Sequence, residues 1–262
     1  MLACLLAGST LVTPVHSAAA ADRGALRAAV TAPTRTAANV ARDRYRHPVE
    51  TLAFFGVRPK DKVVEIWPGG GWYSEILVPY LARGKGTYIG AAPSLTGLRK
   101  LVAANPTSYA TVRTANFPIL ARVPGTPVAP GSADVVLTFR NVHNWMMGKE
   151  PFEAEAFAQM YAMLKPGGTL GVVEHRLPEN ADAAREKTSG YVKVSTVRRL
   201  AEAAGFRLVA TSEINANPLD DTDHPEGVWT LPPNFRLGDK DRARYAAIGE
   251  SDRMTLKFIK PR

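Results

Sequence analysis

The sequence predicts an α/β protein: a doubly wound, mostly parallel seven-stranded sheet that ends in an antiparallel hairpin. Three observations carry this. Short β-branched or apolar runs alternate with stretches of helical period from residue 48 to residue 211. The first run, Val63-Val64-Glu65-Ile66, passes through Trp67-Pro68-Gly69-Gly70-Gly71 straight into a helical pattern. That strand–loop–helix unit is the kind that brings a nucleotide-like cofactor against bare backbone. The last two runs have no helical pattern of clear period between them, so they pair with each other at one edge of the sheet.

The elements follow in order. Pro48 and Glu50 suit the first turn of a helix, and Gly56 ends it. Lys62–Ile66 is the first strand. Tyr73–Leu81 is a helix, with Ile76, Leu77 and Tyr80 at helical spacing. Gly86–Gly90 is the second strand, and Leu95–Ala104 is a helix stopped by Asn105-Pro106. Tyr109–Thr114 is the third strand and the apolar run Ala133–Phe139 the fourth. Phe152–Leu164 is a helix that turns at Lys165-Pro166-Gly167-Gly168 into a fifth strand, Thr169–Glu174. A helix over Val194–Ala204 then leads to the hairpin of Phe206–Thr211 and Met254–Ile259. The hairpin's connection, 214–252, holds Pro218, Pro225, Pro232 and Pro233 and reads as a long loop or lid.

The 262 residues suit one large domain, over 47–262. Hydrophobic residues make up 45% and charged residues 22%, as in an ordinary globular protein. No run approaches the roughly 18 apolar residues of a membrane-spanning helix. The net charge of +9 is either a well-solvated basic surface or attraction to an anionic partner. No basic stripe is interleaved with aromatics, so nucleic acid is not expected. Residues 1–21 carry no Lys, Arg, Asp or Glu, and Ala19-Ala20-Ala21 precedes Asp22 like a small-residue cleavage site. They are expected to be a signal peptide, which makes the protein exported and periplasmic, or cytoplasmic if the segment is not a signal. No basic residue precedes the apolar run in this segment. The only cysteine, Cys4, lies inside it, so the remaining chain has no disulfide. Residues 22–46 read as a linker and a partly helical arm.

The order of elements, the glycine loop, the Leu164-Lys165-Pro166-Gly167-Gly168 turn and the final hairpin resemble class I S-adenosylmethionine-dependent methyltransferases over about 48–261. Arg46-His47-Pro48, Phe54-Phe55-Gly56-Val57 and Glu65 to Tyr73 are similar to an exported bacterial group of predicted methyltransferases. The resemblance implies S-adenosyl-L-methionine as cofactor. It places Glu65 at the acid of the first motif and Gly69 and Gly71 at its second and third glycines. Asn116 falls near the position that holds the adenine amino group, although ordinary turn chemistry suits an Asn there as well. Two positions depart from the pattern. Trp67 stands at the first glycine, where it fills part of the methionine pocket, faces the sulfonium or packs into the core. Ile89-Gly90-Ala91-Ala92-Pro93-Ser94 offers no carboxylate for the ribose hydroxyls at the end of the second strand.

The catalytic candidate follows the fourth strand, in Arg140-Asn141-Val142-His143-Asn144-Trp145. Its His-x-Trp resembles the segment of small-molecule O-methyltransferases in which the histidine removes a hydroxyl proton. Histidine titrates near neutral pH and suits that task; the other reading of His143 is a strand-end histidine bonded to backbone. Glu174 and His175 end the fifth strand on the same sheet edge, and His224 lies in the predicted lid. No histidine pair has i, i+4 ligand spacing, and no metal is expected. Three functions remain in view. One is methyl transfer to a small or surface-displayed nucleophile, with His143 as general base. The second is a non-catalytic exported binding protein with a degenerate methyltransferase fold. The third is a metal-dependent hydrolase using His143, His175 and His224. The oligomeric state is not readable from the sequence.

Overall fold

The computed structural model describes residues 15–262. Residues 1–14 of the expected signal peptide lie outside them. The first described element, α1 (Val15–Val30), runs through the expected cleavage site. Its residues Leu26 and Ala29 are buried against the domain, beside Ile76 and Leu77. The arm continues as two short helices, α2 (Ala37–Val40) and α3 (Asp43–Arg46). Arg35 pairs with Asp43 at 2.6 Å, and the Thr36 backbone N–H donates to Glu75 at 3.1 Å. These bonds fold the arm onto the domain.

His47 takes a left-handed turn (φ 40°) and Pro48 opens α4 (Pro48–Phe55), which Gly56 ends at φ 77°. Then come β1 (Lys62–Ile66), α5 (Ser74–Arg83), β2 (Thr87–Ala91), α6 (Thr96–Ala104), β3 (Arg113–Ala115) and β4 (Ala133–Phe139). After β4 the chain forms α7 (Val142–Met146), α8 (Glu153–Met163), β5 (Leu164–Leu177) and β6 (Val192–Lys193). It ends with α9 (Val194–Ala203), β7 (Arg207–Ser212), α10 (Arg242–Ile248) and β8 (Arg253–Ile259). The sheet order is β3-β2-β1-β4-β5-β8-β7, with β6 added beside β5. Strands β1 to β5 are mutually parallel, whereas β8 runs antiparallel to both β5 and β7. This is the predicted doubly wound sheet with a terminal hairpin.

Both faces of the sheet are covered, so the central strands are apolar throughout. Val64, Ile66, Val136, Leu170 and Val172 pack against one helix layer with Phe157 and Met160. Val63, Val135 and Leu137 face the other layer, with Leu52, Phe55, Ile76 and Tyr80.

Four elements differ from the sequence reading. The third strand is only Arg113–Ala115, because Val112 N–H closes a turn onto Tyr109 O instead of extending the ladder. The Lys165–Gly168 turn is an excursion within β5: Ala133 pairs with Leu164 and Val135 with Thr169, so the intervening residues bulge out of register. Helix α7 replaces an irregular strand end. The 214–252 connection is not structureless; it contains a 3-10 turn, Gly227–Thr230, as well as α10.

Candidate active site

The carboxyl edges of β1, β4 and β5 form the floor of a cleft of about 330 Å³. Ligands of open α/β sheets bind at this edge. Asn39, Arg42 and Arg46 of the N-terminal arm wall one side, and residues of the 214–252 connection wall another, Trp229, Pro233, Glu250 and Ser251 among them. Trp72 Nε1–H donates to Asn39 O at 2.9 Å and so ties the arm to the glycine loop.

That loop is shaped by three left-handed residues: Trp67 (φ 50°), Gly69 (φ 57°) and Gly71 (φ 86°). Gly69 and Gly70 line the cleft, and a Cβ on either would meet nothing within 4 Å. Their bare backbone therefore faces open space. Gly71 faces the core instead, where a Cβ would stand 2.8 Å from Leu101 Cδ2. Glu65 lines the cleft from below. Its Oε2 accepts from Ser74 Oγ at 2.9 Å and from Tyr88 OH at 2.7 Å. Burial pushes its pKa up to about 7, against the lowering effect of the two hydrogen bonds.

Trp67 lies over this floor. Its backbone N–H donates to Ala91 O at 2.9 Å, and its indole N–H donates to Phe117 O at 3.0 Å. The indole meets Trp145 edge-on, with ring centres 6.1 Å apart. Trp67 thus spans from β1 to the segment after β3 and packs against the core, while still lining the cleft. Asn116 stands apart from the cleft. Its Oδ1 accepts from Thr126 N–H at 2.9 Å, which pins the loop after β3.

The β4 end carries the polar chemistry. Arg140 is left-handed (φ 61°), and Asn141 Nδ2 donates to Ile66 O at 2.9 Å, locking the turn to β1. His143 follows in α7. Its Nδ1 lies 2.9 Å from Glu174 Oε1, and Glu174 also accepts the backbone N–H groups of His143 (3.3 Å) and His175 (2.8 Å). A carboxylate accepts only, so in the neutral ring the proton belongs on Nδ1 and Nε2 carries the lone pair. His175 packs beside it, with ring centres 5.2 Å apart, and its Nδ1 bonds Ser251 Oγ. Burial, with His143 and Arg140 nearby, holds the His175 pKa well below the ordinary value, so this ring is neutral.

The third histidine does not join them. His224 Nε2 bonds Asp220 at 2.8 Å in a buried knot outside the cleft lining, and the same carboxylate accepts Tyr191 OH, Thr222 N–H and Asp252 N–H. That knot anchors the 214–252 connection. Two groups hold metal-compatible donor atoms within 4.8 Å of one another: His143, Glu174 and His175, and Asp220, Asp221 and His224. In both, the carboxylates are already taken up by N–H and O–H donors. The three-histidine arrangement that the hydrolase reading needs is absent among the described residues.

Sequence reasoning missed the arginines. Arg42, Arg46 and Arg140 all line the cleft. Arg140 sits three residues before His143, and its place at the strand end was the available signal. Arg42 and Arg46 reach the site only because the arm folds back.

No protein-family model and no curated protein matches this sequence. Solved structures do match. An S-adenosylmethionine-dependent methyltransferase from Aquifex aeolicus aligns with TM-score 0.55 and 13% identity over 84% of this chain and 93% of its own. A phosphoethanolamine N-methyltransferase from Haemonchus contortus, in complex with S-adenosyl-L-methionine, aligns with TM-score 0.55 and 16% identity over 83% of this chain and 53% of its own. An S-adenosylmethionine-dependent methyltransferase from Mesorhizobium loti aligns with TM-score 0.50 and 13% identity over 80% and 96%. The chain has the class I methyltransferase fold.

The cleft can be tested against the cofactor of that fold. The open backbone at Gly69 and Gly70 fits the close approach of its methionyl end. Arg42 Nη2 is buried without a hydrogen-bond partner and suits the carboxylate of that end. At the end of β2, Ala91 and Ala92 are buried and offer no acid, and Trp67 lies against Ala91 through its backbone N–H. The residues present fit the methionyl half of the cofactor.

Proposed function

We propose that this protein is an S-adenosylmethionine-dependent methyltransferase that acts on a small nucleophile in the cleft, with His143 as its general base. The His143–Glu174 pair beside the bare Gly69–Gly70 backbone carries this reading. When bound, the cofactor supplies an electrophilic methyl group. Gly69, Gly70 and Arg42 would hold its amino-acid end. Glu174 fixes the His143 ring and its tautomer, so that Nε2 receives the proton the acceptor loses. Neutral His175 packs against that ring and limits its rotation. The arm and the Trp229–Pro233 wall narrow the cleft's access to water. An O–H acceptor suits this base best. Replacing His143 by Ala should abolish methyl transfer from labelled cofactor to an acceptor mixture and leave cofactor binding intact. Loss of both together would refute the base assignment.

A second reading, a non-catalytic binding protein on the same fold, is favoured by Trp67 and by the absence of an acid beside Ala91. Export belongs to either reading. Cleavage after Ala21 would leave the packed half of α1, with Leu26 and Ala29, on the mature chain; N-terminal mass analysis of the secreted protein tests it. Among the described residues, no helix is long and apolar enough to cross a membrane.

A further inference from the structure

The guanidinium groups around the cleft outnumber their partners. Glu250, itself buried, is the hub. Its Oε1 accepts from Arg42 Nε at 2.6 Å, and its Oε2 from Arg46 Nε and Arg253 Nη1, both at 3.0 Å. One carboxylate thus serves three arginines. A fourth, Arg140, lines the cleft and makes no side-chain hydrogen bond or ion pair among the described residues.

The leftover donors are specific. Both Nη atoms of Arg46 lack any partner, although the residue is only 2% exposed. Arg42 Nη2 and Arg253 Nε are also buried and unpartnered. A buried guanidinium without an acceptor is costly, and such donors are normally satisfied. Arg46 is held in place by more than charge: its guanidinium stacks on Trp72, 4.8 Å from the ring centre. The forks are therefore set before any ligand arrives. Burial, together with Arg140, pushes the Arg46 pKa down, and burial pushes that of Arg140 to about 10. Both shifts fit cations that lack counter-charge.

The cleft holds little to balance them. Glu65 and Glu250 are its only acidic lining residues among those described. Glu250 is already shared, and Glu65 is half protonated near neutral pH. The carboxylate of a bound cofactor brings one negative charge, and its ammonium and sulfonium groups bring two positive ones. Cofactor binding therefore leaves the excess of guanidinium in place.

We propose that the cleft's second ligand, the methyl acceptor under the reading above, carries a dianionic oxyanion seated against Arg46 and Arg140. A phosphate monoester and a dicarboxylate share this chemistry. Planar forks of N–H donors match either one in a bidentate manner. Seating the anion there leaves the rest of the ligand toward His143 Nε2, since Arg140 and His143 stand three residues apart just after β4 and both line the cleft. The arginines thus select the acceptor by its anion and present its nucleophile to the base. The inference rests on the methyltransferase reading only for the word acceptor; the anion site itself does not depend on it.

The test uses the full chain without cofactor. Inorganic phosphate and succinate are titrated at constant ionic strength against chloride, followed by calorimetry and by melting temperature. Saturable one-to-one binding with a raised melting temperature is expected from at least one of them. A stronger response to phosphate assigns the tetrahedral dianion; a stronger response to succinate assigns a dicarboxylate. Arg140→Gln should weaken that binding by about tenfold or more, and Arg140→Lys should restore part of it. Circular dichroism and melting of each variant show whether it folds. A parallel titration with S-adenosylhomocysteine separates the two claims. If that ligand fails to bind while phosphate or succinate binds, the methyltransferase reading falls and the anion site stands. If neither anion exceeds chloride, the proposal is overturned. It is also overturned if Arg140→Gln weakens S-adenosylhomocysteine and spares the anions.

Discussion

Glu65 makes stability depend on pH in a direction opposite to the usual carboxylate. Burial raises its pKa from 4.5 to about 7 in the folded protein. The unfolded chain releases this proton near 4.5, while the folded chain keeps it until about 7. The folded state thus binds the extra proton between those values, and stability falls as pH rises through that window. The contribution is fully present below about 4.5 and lost above about 7. The gap corresponds to about 3 kcal/mol at full loss. Glu65→Gln removes the ionisation and keeps an oxygen to accept from Ser74 and Tyr88. Urea melts from pH 4 to pH 8 should therefore show wild type and variant nearly equal at pH 4. At pH 8 the variant should be more stable by up to about 3 kcal/mol. The same slope in both proteins, or a variant weaker at pH 8, would refute the reasoning. A proton held by Glu65 also leaves the cleft more cationic, in keeping with the anion site proposed above.

Other perturbations test the remaining contacts. Glu174→Gln takes away the acceptor that orients His143 and should lower the methyl-transfer rate by about 10²- to 10⁴-fold with cofactor affinity retained; nitrogen NMR should show His143 losing its single tautomer. Trp67→Gly removes an indole that lines the cleft, so S-adenosylhomocysteine should bind more tightly, by calorimetry, while the protein loses about 2 kcal/mol of stability to the cavity. Glu250, which burial alone would raise, is held at about 2 by Arg46, Arg253, Arg42 and Arg140. Its contribution is present above about 4.5 and lost as pH falls toward 2. Glu250→Gln should cost about 3 kcal/mol or more in a neutral-pH denaturant melt, because it leaves buried guanidiniums unpaired.

The sheet was legible because its strands are short apolar runs separated by turn residues. β1 and β4 fall where the periodicity puts them, and Gly56 ends α4 as expected. The candidate site was legible only where the order of the strands brings its residues together. His143 lies just past β4, in α7, and Glu174 near the carboxyl end of β5, so the parallel sheet brings them to one edge without further information. The arginines were not legible, because nothing in an Ala-rich arm announces that Arg42 and Arg46 will fold back onto Glu250, 204 residues from Arg46. Asn116 shows the converse. Its position after β3 is right for a ligand contact, but a local bond to Thr126 takes its side chain. The 214–252 connection was half legible: its prolines marked it as unusual, yet the Asp220–His224 knot that anchors it depends on Tyr191, a residue from another segment.

The most direct measurement is calorimetric titration of the full chain with S-adenosylmethionine and S-adenosylhomocysteine, beside a thermal melt of the same preparation. The account predicts saturable, one-site, micromolar binding of both. A cooperative melt with no binding heat at millimolar ligand would contradict it and leave a methyltransferase fold put to another use.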